Sequence, residues 1–257
     1  MAAKRAGTRR SQPSKNVPVL WSTADWARAV ADLPVEGPLP DATVIVPHVR
    51  AAHALRRELL RLGRADRLAG TRFVSPFTAA RETLEAAGVR FSTGEEALRP
   101  LRIRALLRQR PALRHFRPER LRDMPGWDEA FARAIDELEG AGWTPSDLLE
   151  AVDPRAADLG LLWQRIDAAA GTSWTAARVL REATARLPDA WPLRGPVLAA
   201  VTGHESAVHA AFLRALPRFV PAVLAARPLR DSHLQRLGAL FGEPLAAALR
   251  GARPPDW

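Results

Sequence analysis

The sequence predicts an α/β fold: a parallel sheet interrupted by a large all-helical insertion. Three observations carry that expectation. Short apolar, β-branched runs alternate with amphipathic helical patterns over residues 19–89. Strand signals then almost vanish over residues 91–187, where helical periodicity takes over. Strand character returns at residues 195–203. The implied division is a basic tail at 1–16, a discontinuous α/β domain at 17–89 and 190–257, and a helical insertion at 90–189. At 257 residues the chain can bury a substantial core in one large domain or two small ones.

Each element has its own signal. Residues 1–16 carry Lys4, Arg5, Arg9, Arg10 and Lys15 with no acid, the composition of a disordered basic tail. Residues 17–23, Val-Pro-Val-Leu-Trp-Ser-Thr, hold a first short strand. Trp26, Ala29, Val30 and Leu33 then recur at helical spacing, with Thr23 as the expected cap. Pro34, Gly37, Pro38 and Pro40 mark a loop. Residues 42–47, Ala-Thr-Val-Ile-Val-Pro, have the look of a buried parallel strand that stops at proline. Ala51, Ala54, Leu55, Leu59 and Leu62 build a helix that closes at Gly63. Residues 71–75 form another strand, and Pro76 and Thr78 open a helix closed by Gly88.

In the helical block, Thr93-x-x-Glu96 reads as a capping box ahead of a helix over 97–110. Residues 123–140 are amphipathic, with Trp127, Phe131, Ile135 and Leu138 on one stripe. Thr144-Pro145-Ser146-Asp147 starts a further helix, followed by helices at 158–170 and 172–187. Beyond them come a buried strand at 195–203, a helix at 206–216, a strand at 221–226 and helices at 231–241 and 244–250. The chain has no internal repeat.

Composition bounds the function. The net charge is +10, and Lys4 and Lys15 are the only lysines, so nearly all basic residues are Arg. Such an excess favours a polyanionic partner such as DNA or RNA. A GC-rich genome, which inflates Ala, Arg, Gly and Pro, is the competing explanation. There is no Cys, which excludes disulfides, thiolate metal sites and Cys nucleophiles. No apolar run approaches the length of a membrane span, and no apolar stretch follows the basic N-terminus as in a secretory signal. A cytoplasmic protein without a membrane partner is expected.

The chemistry that is absent narrows the reading further. A phosphate-binding loop needs G-x-x-x-x-G-K-[ST], and neither lysine follows one. A two-metal nuclease needs clustered carboxylates; Asp128, Glu129, Asp136, Glu137 and Glu139 lie on one amphipathic helix and read as its solvated face. His204 and Glu205 precede His209, but the histidines are five apart, about 500° of helix, so their side chains diverge. His48 and His53 share that spacing. No G-x-S-x-G elbow occurs. Neither a catalytic site, a cofactor nor a metal is expected.

Two arginine clusters are the candidate binding residues. The first is Arg50, Arg56, Arg57 and Arg61, continuing to Arg64 and Arg67. The second is Arg99, Arg102, Arg104, Arg108 and Arg110, continuing to Arg114, Arg117 and Arg120, opposed by Glu95, Glu96 and Glu119. Guanidinium forks match phosphate oxygens, so both suit a nucleic-acid backbone; solvated helix faces or a protein interface are the alternatives. Trp127, Trp143, Trp163 and Trp174 are candidates for base stacking, though their helical spacing reads as core.

Several segments share a pattern with one family. Val44-Ile-Val-Pro-His48 followed by Ala51-Ala-x-Ala-Leu-x-x-Glu-Leu59 resembles the strand and helix just after the phosphate-binding loop of UvrD-like helicases. Arg72-Phe-Val-Ser-Pro-Phe-Thr-Ala-Ala80 resembles their next strand and helix. Residues 200–216, Ala-Val-Thr-Gly-His-Glu-Ser-Ala-Val-His-Ala-Ala-Phe-Leu-Arg-Ala-Leu, are similar to the segment that replaces the Walker B carboxylates in the inactivated helicase-like subunit of AddAB/RexAB helicase–nucleases. The resemblance covers most of residues 17–230, through short motifs, and corresponds to the N-terminal part of that subunit only. It implies a degenerate P-loop-helicase-like sheet and a module that binds DNA or scaffolds a helicase–nuclease during DNA end processing and double-strand break repair. Its implied partners are single-stranded or duplex DNA ends and a helicase or nuclease protein. The rival readings are a protein-interaction scaffold without nucleic-acid affinity and an enzyme with an unrecognised site.

Overall fold

The computed structural model describes residues 17, 19–34, 41–121, 124–192, 195–225, 229–250 and 252. The basic tail at 1–16, the loop glycine and prolines at 37–40, and the start of the helix expected at 123 lie outside the described residues. The chain divides into two compact units: Met1–Val74 with Leu193–Gly203 and Pro217–Trp257, and Ser75–Pro192 with His204–Leu216.

The first unit is built on a parallel sheet. Its strands are β1 (Val19–Leu20), β2 (Ala42–Ile45), β3 (Thr71–Val74), β6 (Val197–Val201) and β7 (Phe219–Leu224), with β4 and β5 belonging to the second unit. Their order across the sheet is β1-β7-β6-β2-β3, and every pairing is parallel. β2 and β6 sit at the middle and are buried along their whole length, as their continuous apolar runs require. Val44 faces Phe73 on one side and Leu198 on the other. Gly195 leads into β6 at φ 77°, and a Cβ there would stand 1.6 Å from the carbonyl oxygen of Asp41, so only glycine fits.

The helices α1 (Thr23–Ala31) and α2 (Val49–Arg61) pack on this sheet. Leu20, Trp26, Val30, Val44, Leu55, Leu59 and Leu198 form the core. α11 (Asp231–Phe241) and α12 (Glu243–Leu249) complete the unit. The cap of α1 is Ser22 and not the expected Thr23: Ser22 Oγ accepts the Asp25 N–H, which puts Thr23 inside the first turn.

The second unit is helical: α3 (Pro76–Ala86), α4 (Glu95–Arg108), α5 (Pro118–Leu121), α6 (Trp127–Gly140), α7 (Pro145–Leu149), α8 (Pro154–Ala170), α9 (Ala176–Ala190) and α10 (Ala207–Ala215). Its core joins Ile103, Phe131, Ile135, Leu162, Trp163 and Ile166. The expected boundaries near 89 and 190 assigned α3 and α10 to the sheet; both instead pack with α9, so they belong to the helices. The expected capping box at Thr93 and Glu96 is not formed. Thr93 pairs with Trp174 in a short parallel ladder of β4 (Ser92–Thr93) and β5 (Ser173–Trp174), Gly94 becomes the N-cap, and the Glu96 carboxylate accepts the N–H of Ala176 at the start of α9. A true capping box forms at Thr144 and Asp147. Trp163 and Trp174 are core as expected, whereas Trp143 is 45% exposed. Among the described residues no helix is long and apolar enough to cross a membrane.

Candidate nucleic-acid interface

The turn after β1 is the place where a phosphate-binding loop would feed its helix. Here β1 reaches α1 through Trp21 and Ser22 alone. The Asp25 carboxylate accepts the Trp21 N–H at 3.2 Å and the Ser22 hydroxyl at 2.9 Å. The positive end of α1 thereby already carries an anion supplied by the chain itself. In an open parallel sheet, ligands bind beyond the carboxyl ends of strands where the connections reverse direction. In this sheet β2 leads to β3 on one side and β6 to β7 on the other, so that point lies at Val46–His48 and Val201–Gly203. At the β6 end, His233 Nε2 donates to the Thr202 carbonyl at 2.7 Å, and its ring would meet a Cβ on Gly203 at 3.0 Å.

α2 starts directly from the end of β2. His48 caps it, with Nδ1 accepting the Ala51 N–H at 3.0 Å, so His48 has a structural task and His53 stays exposed four residues into the helix. Ala52, Leu55 and Leu59 bury one face. The opposite face presents Arg50, His53, Arg57 and Arg61 at spacings of three and four. Arg50 and Arg57 are exposed and make no ion pair among the described residues. Arg61 forks onto Glu58 at 2.6 and 2.9 Å yet keeps 66% of its side chain exposed. That pairing holds the Glu58 carboxyl below its ordinary range. Arg56 points away from this stripe, its guanidinium 5.0 Å over the Phe73 ring.

The second arginine cluster is divided by its surroundings. Arg99 is fully buried: Nη2 meets Glu139 at 2.9 Å and Nη1 meets Asp136. It has no access to a phosphate, and the expectation of a binding role for Arg99 is corrected. Arg102 binds the buried Glu95 carboxylate at 2.6 Å and the Ala169 carbonyl at 3.2 Å. Arg104 is half exposed but pairs with Asp128. These three side chains tie α4 to α6, α8 and its own first turn. The α6 carboxylates read as a solvated face therefore include the partners of that tie, and Glu139 is 2% exposed. Burial pushes the Asp136 carboxyl above its ordinary range although Arg99 pulls it down.

Past Arg104 the arginines are free of such partners. Arg108, Arg110, Arg114, Arg117 and Arg120 are exposed, and their side chains make no ion pair among the described residues. The segment bearing them is held by one residue that sequence reasoning missed. Asp158 on α8, 2% exposed, accepts the N–H groups of Arg114, His115 and Phe116 at 2.7, 2.7 and 2.9 Å. An acid in the first turns of an amphipathic helix carries no signal that its partner is a loop more than forty residues earlier.

The histidine pair of α10 does not form a metal centre. His204 is exposed, Glu205 is buried before the Ser206 cap, and burial lowers the His209 imidazole below its ordinary value. Among the described residues no group of three or more His, Asp and Glu side chains is arranged to hold a metal ion. No family model matches the chain, and no curated protein matches it.

Proposed function

We propose that this chain is a non-catalytic, degenerate P-loop-helicase-like module that handles DNA during end processing and double-strand break repair, alone or as the scaffold of a helicase–nuclease partner. The observation that carries the reading is the solvent face of α2, where Arg50, His53, Arg57 and Arg61 line up with Glu58 as the nearby acid. Its guanidinium groups are spaced along one stripe, as contacts to a phosphate backbone need to be. Two further features support it. All pairings of the main sheet are parallel. The Asp25 carboxylate occupies the amide-rich turn after β1, so a nucleotide phosphate there would meet a fixed negative charge.

The test is fluorescence anisotropy of the purified chain with labelled single-stranded, duplex and forked DNA across a salt series. Micromolar binding that weakens with salt is expected, with a log–log slope of about −0.9 per phosphate neutralised on duplex. The double variant Arg50→Glu/Arg57→Glu should weaken it by at least about tenfold and flatten the slope. Absence of binding at low salt, or binding indifferent to both substitutions, overturns the proposal.

A further inference from the structure

The second unit carries an open groove of about 480 Å³ between the C-terminal half of α4, α5 and the N-terminus of α6. Its floor is apolar: Leu107, Leu121, Met124 and Trp127. Met124 is 55% exposed, an unusual position for a flexible, polarisable side chain that readily moulds itself to an apolar partner. Arg108 stands on the rim with no acid of its own among the described residues. Leu101, 58% exposed, lies on the same α4 stripe as Arg104 and Arg108 and extends the apolar surface along the helix. On the α5 side, Arg117 and Arg120 sit within one turn of Leu121 and are likewise exposed.

We propose that this groove docks an acidic peptide segment of a partner protein, with one bulky apolar side chain of the peptide seated on Met124 and Trp127 and its carboxylates facing Arg108, Arg117 and Arg120. Charge complementarity names the chemistry of the occupant. The apolar floor asks for an apolar anchor, and the unpaired cations around it ask for acids. A nucleic-acid strand fits less well. Stranded binding uses successive exposed aromatic faces. Here the floor offers the half-buried Trp127, which is already packed against Phe116 and Phe131 and donates its indole N–H to Met124 Sδ at 3.0 Å. Glu129, 53% exposed on the rim, also opposes a continuous phosphate backbone, whereas a peptide can place its acids away from it. The rigid seat of the preceding loop on Asp158 fixes the cations before the partner arrives, which lowers the ordering cost of binding. This docking is independent of the DNA contact proposed for α2, because it uses different residues in a different unit.

The experiment is anisotropy of a short fluorescein-labelled peptide of Glu and Asp with one central Phe, titrated with the full chain. Micromolar binding is expected. Replacing the Phe by Gly in the peptide, Arg108→Glu or Met124→Glu in the protein should each weaken it by at least about tenfold. Arg50→Glu should leave it unchanged. Both protein substitutions are at exposed side chains, and an unaltered melting temperature confirms that the fold survives. No binding, equal binding of the Phe-free peptide, or insensitivity to Met124→Glu overturns the proposal. Oligo-dT displacing the peptide with the same sensitivity to Arg108→Glu and Met124→Glu overturns it in favour of a nucleic-acid groove.

Discussion

Arg99 on α4 and Glu139 on α6 are buried against each other, with 2.9 Å between Nη2 and Oε2 and side-chain exposures of 0% and 2%. Asp136 takes the other guanidinium nitrogen, and Arg181 of α9 approaches Glu139 to 3.9 Å. A charge in the middle of an arginine run thus joins three helices, because a buried guanidinium is tolerated only where carboxylates and their geometry compensate its desolvation.

Removing one member of that set strands the others. Arg99→Leu should destabilise the protein by about 3–5 kcal/mol, since Glu139 would be left buried without its principal cation. Chemical denaturation gives the shift in midpoint. A change below about 1 kcal/mol would show that the network is more open to water than its geometry indicates.

Asp158 should matter for order in the loop it holds. Asp158→Ala leaves three backbone N–H groups without their acceptor, a loss of about 1–3 kcal/mol. Hydrogen exchange should accelerate at Arg114, His115 and Phe116, while amides of α2 in the other unit keep their protection. Unchanged exchange at those three positions would rule out the latch.

The buried His209 predicts acid sensitivity. Burial lowers its folded-state value below the ordinary 6.5, and Glu205 opposes this only in part. The unfolded chain therefore takes up a proton at a pH where the folded chain does not, and stability is fully present above about pH 6.5 and declines as pH falls below it. Melting temperatures recorded between about pH 5 and 8 should show this decline, and His209→Leu should reduce its slope.

Gly195 tests the entry to the central strand. Its φ of 77° costs any other residue about 1–2 kcal/mol, and the Asp41 carbonyl stands where a Cβ would go. Gly195→Ala should cost at least that much in a denaturant titration, whereas Gly88→Ala, also at positive φ but with open space around the added carbon, should cost only the backbone term.

The sequence by itself determined the elements that depend on neighbours along the chain. The run 42–47 made β2 because β-branched residues ahead of a proline have few other options, and the glycines after α2 and α3 stop those helices locally. It also determined that the sheet is parallel, since each strand is followed by a helix that must cross back over it. The tertiary structure alone decided which arginines are free. Arg99, Arg102 and Arg108 have the same chemistry and nearly the same local sequence, yet one is buried, one is held by Glu95 and one is open to solvent. Their partners come from residues 7 to 40 positions away, on helices whose packing no local spacing encodes. The ladder of β4 and β5 joins Thr93 to Trp174 for the same reason, displacing a capping box that local sequence favoured. Ion pairs and short ladders are stabilised by burial, and burial exists only once distant segments have packed.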